Sequence, residues 1–273
     1  MRSMKQAGGL ALPAMGLGTW RMGESPARRG EELAALKAAI AQGITLFDTA
    51  EIYGDGAAET LLGESVQGER ERLLLVSKVA PSHASKAGTI RACEASLKRL
   101  GTDYLDLYLL HWIGSVPVEE TIEAFAALRA HGKIRAWGVS NFDLEDMRGL
   151  PEGCAANQVL YNPQSRGIEF DLLPWCQARG IPVMAYTPLG QHNKVLENAA
   201  VKAVAAAHGA TPGQVALAWG LRQEGVVSIP KTGHAARIEE NLGALKLQLT
   251  PEDLAAIDRA FAPPKRAVPL AML

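Results

Sequence analysis

The chain has 273 residues, 48% of them hydrophobic and 21% charged, and its formal net charge is −1 at pH 7. This composition predicts a large buried core and gives no electrostatic basis for binding nucleic acid or a membrane surface. The three cysteines form no CxxC pair, which argues against a disulfide framework and predicts a protein of the cytoplasm. No run of about 18 apolar residues is present, so we expect no transmembrane segment.

Short runs of β-forming residues alternate with longer helical patterns along the chain. The predicted strands are 15–18, 45–47, 73–76, 105–110, 134–138, 156–160, 183–185 and 226–229. Helices are predicted after them, at 31–42, 57–67, 86–100, 119–131, 143–149, 170–179, 212–223 and 235–242. Strands that alternate with helices build a parallel sheet from βαβ units. The pattern therefore predicts an α/β fold, a closed (β/α)8 TIM barrel of one domain, residues 1–273.

Three local signals refine this prediction. A hairpin that turns at Gly8-Gly9 is predicted before the first strand, and two extra helices are predicted at 195–208 and 251–260. Thr211 before Pro212 is typical of a helix start, with a capping side chain followed by a first-turn proline. Gly132 and Gly180 stand where helices should end before a strand.

Polar side chains follow three consecutive strands at the point where each strand ends. Asp48 and Tyr53 follow the second strand, Lys78 the third and His111 the fourth. Catalytic groups of parallel α/β barrels lie at the carboxyl ends of the strands, which meet at one rim. We therefore expect an acid, a phenol, an amine and an imidazole to meet there.

The chemistry of these four groups is coherent. A free tyrosine has a pKa of roughly 10, and a nearby ammonium lowers it by favouring the phenolate. Asp48 would hold Lys78 charged and in place, Tyr53 would act as a general acid, and His111 would orient a carbonyl. Each residue alone also has a structural explanation, as a cap, a loop anchor, a solvated strand end or a packing partner. The four together favour catalysis.

Several motifs in order make the chain resemble the aldo-keto reductases almost from end to end. They are GLGTW at 16–20, FDTA at 47–50 with Tyr53-Gly54, Ser77-Lys78, LHW at 110–112, GVSNF at 138–142, Asn157-Gln158, AYTPLG at 185–190, and IPKT at 229–232 with Arg237 and Glu240-Asn241. The resemblance implies that Asp48, Tyr53, Lys78 and His111 form the catalytic tetrad of an NADP-dependent oxidoreductase that acts on CH–OH groups.

The resemblance also implies NADPH (NADP+) as cofactor, bound in an extended form without a Rossmann domain. The carboxamide of the nicotinamide would contact Ser140, Asn141 and Gln158, and its ring would stack on Tyr186. The remaining cofactor residues are assigned by the same resemblance. They are Gly18 and Thr19; Thr187, with Leu189 and Gly190 at the pyrophosphate; Lys231, Thr232 and Arg237 at the 2′-phosphate; and Glu240 and Asn241 at the adenine. Two cations suit a phosphate dianion, and arginine adds bidentate geometry.

Substrate selection is expected from the rim. Trp20 and Trp112 resemble the aromatic walls of family pockets, although packing at the barrel rim is the alternative for each. The segments 161–170 and 191–194 resemble bacterial members, some of which reduce methylglyoxal and related 2-oxoaldehydes. The short loop after the seventh strand and the short tail ending at 269–273 make steroid or prostaglandin specificity unexpected. An open, permissive pocket for small carbonyl compounds is the hypothesis.

Other classes of protein fit less well. The six histidines show no HxH or HExxH spacing for a metal hydrolase, so we expect no metal. Gly16-Leu-Gly18 lacks the third glycine of a Rossmann fingerprint, and Arg21 stands at that position. A Schiff-base aldolase could use Lys78, but Asp48 and Tyr53 would then be coincidental. A cofactor-binding relative with little turnover is the remaining alternative, and a monomer is the expected state.

Overall fold

Eight parallel strands form one sheet that closes on itself. The computed structural model describes residues 9–273. Each strand pairs with the next along the chain. The strands are β1 (Leu17–Gly18), β2 (Leu46–Asp48), β3 (Leu74–Val79), β4 (Leu105–Leu110), β5 (Ile134–Ser140), β6 (Cys154–Leu160), β7 (Val183–Tyr186) and β8 (Val226–Ser228). The sheet closes where the Gly16 N–H donates to the Ser228 carbonyl at 2.9 Å and the Gly18 N–H to the Pro230 carbonyl at 3.0 Å. The predicted barrel is confirmed.

Helices follow the strands on the outside of the barrel. They are α1 (Arg29–Ala41), α2 (Ala57–Ser65), α3 (Lys86–Leu100), α4 (Val118–Ala130), α5 (Leu144–Gly149), α6 (Leu172–Ala178), α7 (Ala199–Ala207), α8 (Pro212–Leu221), α9 (Ala235–Gly243) and α10 (Pro251–Ala260). The two extra helices are α7 and α10. None of the helices in residues 9–273 is long and apolar enough to cross a membrane. The predicted hairpin at Gly8-Gly9 depends on residues 1–8, which lie outside the described residues.

Two boundaries differ from the prediction for identifiable reasons. The helix predicted from residue 195 begins at Ala199, because the side chain of Asn198 accepts the Ala200 N–H at 2.9 Å and caps the helix there. The third strand continues through Lys78 to Val79, so Lys78 lies inside the strand and not beyond its end. A lysine can remain in this buried strand because an acidic side chain neutralises it within the barrel.

Side-chain alternation divides the barrel core into two layers. Leu107 and Leu109 of β4 belong to the apolar cluster inside the barrel, whereas Tyr108 belongs to the cluster between strands and helices. The same alternation places Asp48 and Lys78 on the inner face, two residues after Leu46 and Val76 respectively. The interior is therefore apolar through most of its depth and becomes polar at the carboxyl ends of the strands.

Close packing of α2 on α3 gives a prediction about stability. A Cβ on Gly63 would lie 2.7 Å from the backbone oxygens of Arg99 and Leu100, so Gly63→Ala should destabilise the protein by about 1–3 kcal/mol. Gly30, in α1, has no atom within 4 Å of the same position. Gly30→Ala is the matched control and should stabilise by up to about 1 kcal/mol. Urea unfolding measures both free energies, and equal effects would contradict the packing argument.

Candidate active site

Lys78 is a fully buried ammonium at the centre of the polar end of the barrel. Its Nζ lies 2.9 Å from the carboxylate of Asp48 and donates to the Thr49 carbonyl at 2.7 Å and the Tyr53 phenol oxygen at 3.3 Å. Three acceptor groups thus match the three N–H donors of a lysine. The Thr49 carbonyl was not among the predicted site residues, since a backbone group leaves no signal in the sequence.

Asp48 joins three strands at this end of the barrel. Its carboxylate contacts Lys78 of β3 and accepts a hydrogen bond at 2.8 Å from Nε2 of Gln158, which lies across the barrel on β6. A buried charge pair of this kind is stable only when its remaining lone pairs are also satisfied. The hydrogen bond from Gln158 satisfies a further lone pair of Asp48 and fixes the orientation of the carboxylate.

Lys78 remains protonated although it is buried. Burial alone lowers the pKa of this ammonium, but Asp48 and Tyr53 together raise the pKa above its usual value. The carboxylate is therefore the group that keeps the amine protonated. The site holds a fixed positive charge against the oxygen of Tyr53.

A tight turn brings Tyr53 to the rim. The turn Tyr53–Gly56 has three consecutive residues with positive φ: 56° at Gly54, 49° at Asp55 and 88° at Gly56. Glycine adopts this left-handed backbone without a steric penalty, and aspartate tolerates it better than most residues. α2 begins at the next residue, so the phenol stands on a sharp corner between strand and helix.

The prediction that the pKa of Tyr53 is lowered is wrong for this structure. Burial raises the pKa of the phenol, and this effect outweighs the lowering by Lys78; Asp48 raises the pKa further. The net pKa lies above the ordinary value because the phenolate would lose its hydration inside the barrel. Tyr53 therefore carries its proton at neutral pH, as a proton donor must.

His111 completes the cluster as a neutral imidazole. Its ring centroid lies 5.8 Å from that of Tyr53 and 4.7 Å from that of Trp112. Burial, assisted by the charge of Lys78, lowers the pKa of His111 to about 2. Nδ1 is buried without a hydrogen-bond partner among residues 9–273. A neutral ring with one nitrogen unsatisfied can bind a polar ligand atom without adding charge.

The side chain of Asn141, directly after β5, meets Tyr186 beside this cluster. Asn141, which has a φ of 59°, donates to the His111 carbonyl at 3.1 Å and accepts from the Tyr186 phenol at 2.9 Å. Ser140 donates to the Gln158 carbonyl at 2.9 Å. The ring of Tyr186 thus extends from the end of β7 toward β5. It presents a half-buried flat surface at the mouth of the barrel.

Lys231 stands at the seam between the first and last strands. It pairs with Gly18 through a parallel bridge and is half-buried. Within residues 9–273, its ammonium has no hydrogen bond or ion pair. Burial lowers the pKa of Lys231; Glu32 and Glu24 oppose this effect, whereas Arg28 and Arg21 add to it. A half-buried cation without a partner indicates a place for an anion.

Other predicted cofactor residues are held by contacts within the protein. Thr19 is buried and donates to the Asp48 carbonyl at 3.0 Å. Thr232 accepts the His234 N–H at 3.1 Å, and Glu240 accepts from Thr211 at 2.6 Å. Glu240 is thereby tied to the start of α8. Arg237 is exposed at the first turn of α9, and Asn241 is buried in the same helix.

Two positive φ angles shape the first turn of the loop after β7. Thr187 has a φ of 50°, Gly190 has a φ of 74°, and the Gly190 N–H donates to the Thr187 carbonyl at 3.0 Å. A Cβ on Gly190 would lie 2.5 Å from Val195. Only glycine fits there, and Leu189 precedes it in the same tight loop.

The rim carries exposed apolar side chains. Trp20 is 46% exposed and Trp112 is 36% exposed. Ile52 and Ile113, which were not predicted as site residues, are similarly exposed on the loops after β2 and β4. Arg21, also not predicted, stacks its guanidinium 4.5 Å from the Trp20 ring centroid. These three residues could have been predicted from the sequence, because each is adjacent to Trp20, Tyr53 or Trp112.

Within residues 9–273, no group of three His, Cys, Asp or Glu side chains is arranged to hold a metal ion. The polar end of the barrel is therefore built from an ion pair, a phenol, an imidazole and amides. It can donate a proton and a hydrogen bond to one oxygen atom beside a buried positive charge.

Comparison with known proteins relates this arrangement to a large group of enzymes. The model of the aldo/keto reductase family matches residues 14–262. The chain is 51% identical to methylglyoxal reductase YeaE of Escherichia coli K12, over 98% of this chain and 97% of that protein. It is 35% identical to glyoxal reductase of Bacillus subtilis, over 94% and 91% of the two chains. An aldo/keto reductase from Klebsiella pneumoniae, solved with NADP and acetate, matches with a TM-score of 0.95 and 50% identity, over 99% of both chains.

The neutral state of His111 can be tested directly. Because burial and Lys78 lower its pKa to about 2, its ring resonances should not titrate between about pH 5 and 8. NMR of the protein with labelled histidine measures the shifts, and a His111→Gln variant identifies the resonance by its disappearance. A midpoint above about pH 5 for that resonance would contradict the burial argument.

Proposed function

The chain belongs to the aldo/keto reductase family and is an NADPH-dependent oxidoreductase, and we propose that it reduces small aldehydes and ketones, with 2-oxoaldehydes such as methylglyoxal as substrates. The observation that carries the proposal is the contact of the Tyr53 phenol with the buried Lys78–Asp48 pair. We further propose that residues 1–273 form one domain and that the protein acts as a monomer in the cytoplasm. The free, buried thiols of Cys93, Cys154 and Cys176 support a reducing compartment.

The residues at the mouth fit the cofactor. Lys231 is a half-buried cation without a partner in the described part of the chain, which suits the 2′-phosphate, with Arg237 on the neighbouring helix turn. Tyr186 offers a flat surface for the nicotinamide ring. Ser140 and Asn141 would hold the carboxamide by exchanging some of their present hydrogen bonds, and Gln158 would use its amide oxygen while its Nε2 stays bonded to Asp48. When bound, NADPH supplies the hydride for the carbonyl carbon.

Tyr53 is proposed as the proton donor to the carbonyl oxygen. Its phenol is protonated at neutral pH, so the proton is available when negative charge develops on that oxygen. Lys78, 3.3 Å from the phenol oxygen, stabilises the phenolate that remains after the transfer. Asp48 keeps the amine charged and in position.

His111 is proposed to orient the substrate. The imidazole is neutral and lies edge-on to Tyr53, so it can donate one hydrogen bond to the carbonyl oxygen without repelling Lys78. Such a hydrogen bond holds the oxygen beside the phenol. Trp20 and Trp112 would form the apolar walls around a small substrate.

The methylglyoxal reductase of Escherichia coli, at 51% identity, supports 2-oxoaldehydes as the substrate class. A cofactor-binding protein with little turnover is the alternative function. The complete tetrad argues against that alternative, because binding a cofactor does not by itself require a phenol and an imidazole beside the buried charge pair.

Replacing Tyr53 with phenylalanine tests the proton donor. Tyr53→Phe should lower kcat for methylglyoxal reduction by about 10²–10⁴-fold, because the phenolic proton is lost while the ring remains. NADPH absorbance follows turnover. The dissociation constant of NADPH, measured by fluorescence quenching, should change less than about two-fold.

Tyr104→Phe is the matched control. Tyr104 lies between the guanidiniums of Arg70 and Arg135, before β4 and therefore at the opposite end of the barrel. Its replacement should leave kcat unchanged. Full turnover in Tyr53→Phe would refute the assignment, and poor turnover of every carbonyl compound by the unmodified protein would favour the cofactor-binding alternative.

Lys231→Ala tests the phosphate site. This substitution should raise the dissociation constant of NADPH by about 10–100-fold, since a charge-assisted contact with a phosphate is lost. NADH carries no 2′-phosphate, so its dissociation constant should change less than about two-fold. Lys202→Ala, on the exposed face of α7, is the control and should change neither value. Equal losses for the two cofactors would contradict the proposed role of Lys231.

A further inference from the structure

Glu32 is a buried carboxylate that the proposed mechanism does not use. It lies in the first turn of α1 and is 2% exposed. Its Oε2 accepts the Gly23 N–H at 2.8 Å. Its Oε1 has no hydrogen bond within the described part of the chain, and the nearest cation is Arg28, 3.5 Å away and largely exposed. Buried carboxylate oxygens are normally satisfied, so this one requires an explanation.

The unsatisfied oxygen faces the loop that carries Lys231. A Cβ on Gly233 would lie 3.2 Å from Cγ of Glu32 and 3.9 Å from its Oε1. The neighbouring Glu31 pairs with His234 in the same loop. The first turn of α1 therefore packs against the segment between β8 and α9.

Among the carboxylates, Glu32 raises the pKa of Lys231 the most. Burial lowers the pKa of that ammonium, and Glu32 opposes this effect more strongly than Glu24 does. Arg28 and Arg21 add to the lowering. In the protein without cofactor, the negative charge of Glu32 thus partly compensates the otherwise unpaired Lys231.

We propose that Glu32 determines cofactor selectivity by competing with the 2′-phosphate for Lys231. The proposal rests on the phosphate role given to Lys231 above. A fixed, buried negative charge beside this loop opposes the arrival of a phosphate dianion. NADH has a neutral hydroxyl at the same position and meets no such opposition. Glu32 therefore weakens the binding of NADPH and NADP+ while it leaves the binding of NADH almost unchanged.

A purely structural role for Glu32 predicts a different result. If the residue serves only to hold the loop after β1 through the Gly23 N–H, then the charge is irrelevant. Glu32→Gln separates the two roles, since its amide oxygen still accepts from Gly23 and only the charge is lost.

The experiment compares dissociation constants of NADPH and NADH by fluorescence quenching. Glu32→Gln should bind NADPH about five-fold more tightly and NADH within about two-fold of the unmodified protein. Glu64→Gln is the matched control. Glu64 pairs with Arg29 on the surface of α2, so its loss makes the same change in net charge and should alter neither constant.

A double-mutant cycle with Lys231→Ala identifies the partner of the charge. The effect of Glu32→Gln on NADPH should fall below about two-fold when Lys231 is already alanine. An equal effect in both backgrounds, or unchanged NADPH binding in Glu32→Gln alone, overturns the proposal. Glu32→Ala, which also lacks the charge, must shift the preference in the same direction. Loss of folding in both variants would assign Glu32 a structural role and overturn the proposal.

These measurements also separate this inference from the proposed function. If Lys231→Ala weakens the binding of NADPH and not that of NADH, then the phosphate site is supported independently of the result for Glu32. If Lys231→Ala affects both cofactors equally, then the phosphate site itself fails.

Discussion

The ion pair between Lys78 and Asp48 is the interaction on which the rest of the site depends. Two opposite charges inside an apolar barrel are tolerated only because each is fully satisfied, the amine by three acceptors and the carboxylate by the amine and Gln158. The pair ties β2, β3 and β6 together at one end. It also fixes the electrostatic field in which Tyr53 and His111 sit.

That field acts on two groups in ways that suit one reaction. Burial keeps the phenol of Tyr53 protonated, and the same burial, with Lys78 beside it, keeps His111 uncharged. The proposed proton donor and a neutral imidazole are therefore adjacent. In the proposed reaction, the amine contributes most after the proton has left, when the phenolate needs a cation nearby. The low dielectric of the interior strengthens each of these effects.

Much of this arrangement could be predicted from the sequence, because strand ends are recognisable and the ends of parallel strands converge. The positions of the tetrad follow from the strand pattern. The direction of the Tyr53 pKa shift does not follow from it, since the shift depends on how deeply the ring is buried. The Thr49 carbonyl and the buried Glu32 also escaped prediction. Neither a backbone oxygen nor an acid in an ordinary helix start has a distinctive pattern.

The seam between β1 and β8 has a kinetic consequence. It joins the beginning of the chain to its distant end, through few backbone hydrogen bonds, and Gly18 and Lys231 face each other across it. Long-range pairings pay the largest loop-closure entropy, so we expect this seam to form late, after the neighbouring βα units have assembled. A nascent chain would then complete the proposed phosphate site at Lys231 only at the final step of folding, and binding of the cofactor would report that the barrel is closed.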